Sequence, residues 1–96
     1  MYIEHVILLP GFEEKLIIKH HVYRNEVKHV LLNQPFVKFI EKWRSPGEDV
    51  YTAHGQTESG RYLIVFFVFK RNRHALVISA RDMDDKERKQ YGMTIK

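Results

Sequence analysis

The stretch RYLIVFFVF, Arg61 to Phe69, decides how this chain folds. It is apolar on both faces of a two-residue period, so it reads as a central strand covered on both sides. Upstream, TESG (Thr57 to Gly60) makes a tight hairpin connection to a strand over Asp49 to Gln56. That strand carries Tyr51 and Ala53 on one face and Val50, Thr52 and His54 on the other. A turn at Ser45-Pro46-Gly47-Glu48 links it to another strand, Phe36 to Lys42. Downstream, Lys70 to Arg73 turns the chain into HALVISAR, His74 to Arg81. Strict alternation there places Leu76, Ile78 and Ala80 on one face and Ala75, Val77, Ser79 and Arg81 on the other. These four strands make an antiparallel meander.

Ahead of the meander, Tyr2 to Leu9 reads as a short strand ended by Pro10-Gly11, and Phe12 to His20 as a helix. Glu13 and Glu14 stand in its first turn and Lys19, His20 and His21 at its end, matching the helix dipole. A second helix, Arg24 to Leu32, shows Val27, Val30 and Leu31 at helical spacing and stops at Asn33 before Pro35. Past the last strand, Asp84 and Glu87 have the spacing of a capping box, which predicts a helix from Asp85 to Tyr91 stopping at Gly92. So short a helix must dock on the sheet, through Met83 and Tyr91. The fold class is α+β: an N-terminal strand and helix pair, an antiparallel sheet of about four strands and a short C-terminal helix.

A length of 96 residues suits one domain, residues 1–96, with a single core. There is no cysteine, which excludes disulfides and thiolate zinc sites and fits a reducing cytoplasm. No segment has the form of a signal peptide or a membrane span, so a cytoplasmic protein without a membrane partner is expected. Sixteen Lys and Arg against twelve Asp and Glu give a net charge of +4. That excess favours polyanions or an acidic protein partner.

Metal-free RNA cleavage needs a group to activate the 2′-hydroxyl, a cation for the phosphorane and a proton donor for the leaving oxygen. Arg81, Arg88 and Tyr91 gather such groups at the end of the last strand. The plain alternative for Arg81 is a surface ion pair with Asp82 or Asp85. Lys19, His20 and His21 could supply acid, base and cation, or could simply cap a helix end. Glu48 and His54 qualify as bases if their strand face turns toward Arg81. The Phe66, Phe67 and Phe69 rings belong to the core, and Trp43 is open to either role. The six histidines lack H-x-x-x-H spacing, and no Walker loop, G-x-S-x-G elbow or dinucleotide fingerprint occurs, so neither metal nor cofactor is expected.

Three blocks carry a family resemblance. KHHVYRNEV (Lys19 to Val27) is similar to the Lys-His-Gly-Val and Glu-Val of BrnT-type toxins. GEDVYTAHGQTESGRYLIVFF (Gly47 to Phe67) resembles their Gly-Glu segment, Gly-x-Thr turn and Gly-Arg-x-Leu strand, and ISARDMDDKERKQY (Ile78 to Tyr91) their Ile-Ser-Ala-Arg, Glu-Arg and Tyr ending. The resemblance implies a RelE-like fold, an endoribonuclease toxin of a type II toxin–antitoxin pair, RNA as substrate and a cognate antitoxin as partner. On its motif positions stand Lys19, His20, Arg61, Arg81, Glu87, Arg88 and Tyr91. Arg81 and Arg88 are the candidates for phosphate contacts, His20 for acid–base work and Tyr91 for catalysis, with Lys19, Arg61, His54 and Glu48 around the substrate. Glu87 is read as a helix cap. The chain departs from the family at His21, where a Gly is usual, at Val50, where an Arg is usual, and at ILLPGFEEKL, which lacks the Trp-Asp and Asn. The competing reading is a non-catalytic RNA- or protein-binding module on the same fold, and a homo-oligomer stays open.

Overall fold

The computed structural model describes residues 1–43 and 47–94. Its elements run β1 (His5–Ile7), α1 (Pro10–His20), α2 (Arg24–Leu32), β2 (Phe36–Lys42), β3 (Asp49–Gln56), β4 (Tyr62–Phe69), β5 (His74–Asp82) and α3 (Asp85–Thr94). The fold is α+β. The sheet has five strands rather than four, in the order β1-β5-β4-β3-β2. β2 to β5 form the antiparallel meander, and β1 joins its other edge parallel to β5.

Element ends depart from expectation for local reasons. β1 is confined to His5–Ile7, and Pro10-Gly11, beyond ending the strand segment, opens α1. Proline suits a first helical turn, where its missing N–H would have no partner anyway. α1 is capped by His21, left-handed with φ 54°, and the His21 and Val22 N–H groups donate to the Ile17 and Leu16 carbonyls. α3 does not stop at Gly92 but runs through it to Thr94, whose Oγ1 donates to the Gln90 carbonyl at 2.8 Å. Gly92 is exposed and uncrowded, so its low helix propensity is the whole cost, about 1 kcal/mol. The Asp84–Glu87 box forms: the Glu87 N–H donates to Asp84 Oδ1 at 2.8 Å and the Asp84 N–H to Glu87 Oε1 at 2.9 Å. The turn expected at Ser45-Pro46-Gly47-Glu48 lies partly outside the described residues.

α1 and α2 pack on one face of the sheet, α1 against β5 and α2 against β3 and β4. The core between them holds Leu16, Val22, Val27, Val30 and Leu31 from the helical side and Ala53, Leu63, Val65, Phe67, Ala75, Val77 and Ala80 from the strands. Gly55 lets α2 come close, since a Cβ there would stand 3.0 Å from Val30 Cγ1. β4 is buried along both faces, as its apolar run demands. On the face opposite α1 and α2 the only helix among the described residues is α3, at one end, and Ile64 and Val68 are buried there by their neighbours on the sheet.

A bulge fixes what that open face presents. β4 and β5 pair as Phe66 with Ser79 and then Phe67 with Val77, so Ile78 is an extra residue in β5. Alternation slips there. Ala75, Val77 and Ala80 all join the helix-covered core, while Arg81 pairs with Ile64 on the open face. This overturns the expectation that Arg81 shares a face with Ala75 and Val77. Bulges bend a strand and re-aim its side chains, and this one turns Arg81 out of the core. β2 has a matching irregularity between Phe39 and Glu41.

Candidate functional site

Register now brings together residues from four elements. Across the open face, one row runs Phe36, His54, Ile64, Arg81 and the next Lys38, Thr52, Phe66, Ser79. α3 lays Glu87 and Gln90 against the end of these rows. The result is a cleft of about 230 Å³ lined by Lys38, Ile40, Thr52, His54, Ile64, Phe66, Arg81, Glu87 and Gln90. Its floor is apolar and its walls are polar and cationic.

Arg81 is held by Glu87 in a two-pronged pair, Nη1 to Oε1 at 2.8 Å and Nη2 to Oε2 at 2.9 Å, and donates from Nη1 to the Asp82 carbonyl at 3.1 Å. Its ion-pair partner is therefore Glu87, not the Asp82 or Asp85 carboxylate. The guanidinium carbon stands 5.7 Å from the Phe66 ring centre. Two of the five N–H donors, the Nε–H and one on Nη2, have no partner among the described residues. Glu87 is a helix cap and more, because the Arg81 pairing together with the Asp84 N–H drives its carboxyl down to about 2. It is an anchor in charged form, too weak a base to take a proton at neutral pH.

His54 is 7 % exposed, and its Nε2 lies 3.0 Å from Thr52 Oγ1. Burial lowers its pKa from 6.5, the Lys38 and Arg81 charges push the same way, and Glu87 opposes them. The ring is therefore neutral at pH 7 and can accept a proton. Lys38, exposed on the neighbouring strand, stands with its Nζ 5.7 Å from the Phe36 ring centre, and that ring lies 5.9 Å from His54.

The other candidates lie elsewhere. Arg88 lines a separate cleft of about 260 Å³ with Gly60, Arg61, Tyr62, Asp82 and Met83. α3 docks there as expected, through buried Met83 and through Tyr91, whose ring meets Tyr62 edge-on at 6.1 Å. Burial against Tyr62 raises the Tyr91 pKa. Arg61 spends its donors inside the protein, on Asp82, on Glu26 and on the His20 and His21 carbonyls at the end of α1. It ties both helices to the sheet end. The His20 side chain bears on Asp82, whereas Lys19 sits beside Ile18 and Lys15 on the outer side of α1. Glu48 pairs with Lys70 at the other end of β3, about 20 Å along the strand from His54. So Arg81 and His54 come together, and Arg88, Tyr91, Arg61 and His20 form a second group.

Sequence reasoning missed Lys38, Thr52 and Gln90 and placed Phe66 wholly in the core, although its half-buried ring floors the cleft. The register of β2 against β3 would have found Lys38, but nothing in the local sequence states that register. Among the described residues no cluster of His, Asp and Glu could hold a metal ion, and no helix is long and apolar enough to cross a membrane. No curated protein matches the chain. The family described as "Ribonuclease toxin, BrnT, of type II toxin-antitoxin system" matches it over residues 13–87, from the first turn of α1 to the cleft residue Glu87. The chain belongs to that BrnT family of ribonuclease toxins.

Proposed function

We propose that this protein is a cytoplasmic toxin, paired with a cognate antitoxin, that cleaves RNA in the open-face cleft without a metal ion. The observation that carries this reading is the convergence of a neutral histidine and two cations on a shallow, apolar-floored cleft, to which the β5 bulge adds Arg81. With the His54 Nε2–H donated to Thr52, Nδ1 holds the lone pair that takes the proton of a 2′-hydroxyl. The freed O2′ attacks the adjacent phosphorus, and the free donors of Arg81 meet the charge that builds on the phosphorane. The bond from phosphorus to the 5′-oxygen then breaks, and that oxygen takes a proton from the Lys38 ammonium. The products are a 2′,3′-cyclic phosphate and a 5′-hydroxyl. Glu87 keeps Arg81 aimed, and Phe66 with Phe36 offers ring surface to a base.

The test is a synthetic RNA cut by the purified protein, compared with the same strand carrying a 2′-deoxy nucleotide at the cut position. Cleavage of the first to a cyclic phosphate, with the second intact at that position, is the expected result. Cleavage of both strands would rule out 2′-hydroxyl chemistry. Salt-sensitive binding with no cleavage of either would leave an RNA-binding module on the same fold.

A further inference from the structure

The second cleft contains an arginine whose setting differs from its neighbours. Arg24, Arg61 and Arg81 are each paired with carboxylates. Arg88 has no carboxylate partner among the described residues. Its guanidinium lies over the Tyr62 ring, 4.3 Å from the ring centre, and Tyr91 closes on the same ring edge-on at 6.1 Å. Stacking fixes the plane of an arginine while leaving its edge donors open, an arrangement suited to a phosphate group. The one carboxylate lining this cleft, Asp82, is held by two bonds from Arg61, a guanidinium that Glu26 shares. What faces solvent is the Arg88 cation over a tyrosine ring, with the exposed Asp82 carboxylate turned to Arg61.

This platform adjoins the cleft of Arg81. Tyr62 is two residues from Ile64 along β4, about 7 Å, and α3 forms the ridge between the two sites, with Glu87 and Gln90 on one flank and Arg88 on the other. We propose that Arg88, Tyr62 and Tyr91 form an anchoring site for single-stranded RNA, which grips a phosphate and its base next to the nucleotide seated in the Arg81 cleft. The inference rests on the RNA-cleaving reading for its ligand and adds a residue group outside the chemistry. Arg88 binds the strand there and takes no part in proton transfer.

The experiment measures binding of a fluorescent, fully 2′-deoxy-blocked oligonucleotide of the cleaved sequence, which cannot react, across a salt series. Wild type is compared with Arg88→Gln, Arg88→Lys and Tyr62→Leu, each checked for an intact fold by its melting curve. Arg88→Gln should weaken binding about tenfold at low salt and reduce the slope of log K against log salt by about 0.7, the contribution of one single-strand phosphate contact. Arg88→Lys should keep the slope and lose part of the affinity, because the charge survives and the stacked plane does not. Tyr62→Leu should weaken binding with the slope retained. In cleavage assays the Arg88→Gln loss should fall mainly in KM, whereas Arg81 variants lose kcat. If Arg88 only docks α3, Arg88→Gln lowers the melting temperature and leaves the salt slope unchanged, which overturns the proposal. A wild type that binds but does not cut, with the slope falling in Arg88→Gln, would sink the catalytic reading and keep the anchor. A wild type that cuts while Arg88→Gln binds like it would do the reverse.

Discussion

Two side chains of the cleft have protonation states that can be checked separately. His54 is held neutral by burial and by Lys38, so a rate that depends on its free nitrogen rises with pH through a midpoint below 6.5 and levels off above that midpoint. The pH profile of kcat/KM should show an acid limb with its midpoint below that value, and a midpoint at or above it would contradict His54 as the base. Glu87 titrates in the other range. Its folded pKa of about 2 lies below the ordinary 4.5, so the Arg81–Glu87 pair stabilises the fold fully above pH 4.5 and the contribution disappears as pH falls toward 2. Solvent screening of this partly exposed pair holds its worth to about 1 kcal/mol. Acid unfolding followed by circular dichroism should therefore show a shallower stability loss between pH 4.5 and 2 in Glu87→Gln than in wild type; equal slopes would mean that the pair contributes nothing. Val50 matters at this scale as well. It is buried and paired with Val68, two residues along β3 from Thr52, at a position where the family usually carries an arginine. Lys38, opposite Thr52, brings a cation to the same face from the neighbouring strand.

Among the elements, most of the fold was legible because hydrophobic period and turn chemistry agree. The bounds of α2, β2 and β3 follow from their patterns, and the Asp84–Glu87 box starts α3 where its spacing says. What was not legible is register. A bulge adds one residue to a strand without any composition mark, so ALVISAR reads as strict alternation while Ile78 slips its phase and sends Arg81 to the opposite face. The parallel pairing of β1 is also invisible locally, since it joins residues 69 positions apart, as His5 with His74. The pairing of Lys38 with Thr52 hid in the same way. Close packing of α2 on β3 gives a further check. Gly55→Ala puts a methyl group 3.0 Å from Val30 Cγ1 in a closed core and should cost about 1–2 kcal/mol in chemical denaturation. A neutral or stabilising result would mean that α2 can move off the sheet freely.

The two sheet faces divide the work. α1 and α2 cover one face, while among the described residues the other carries no helix but α3, and that helix positions Glu87 for one cleft and Arg88 for the next. The group Arg81, Arg88 and Tyr91, close in sequence, is thus split by the helix that carries two of its members. Sequence proximity suggested one site, and helix geometry makes two. The family match ends at Glu87, so it takes in every lining residue of the Arg81 cleft except Gln90. On the proposed reading, RNA is cleaved in the Arg81 cleft. The most direct measurement is the single-turnover cleavage rate in excess EDTA for wild type, Arg81→Ala and His54→Gln, all folded. Wild type should cut, and each variant should be slower by about a hundredfold or more, the usual size of a lost transition-state donor or positioned base. Equal rates in all three, or cleavage by wild type only after a divalent ion is restored, would contradict it.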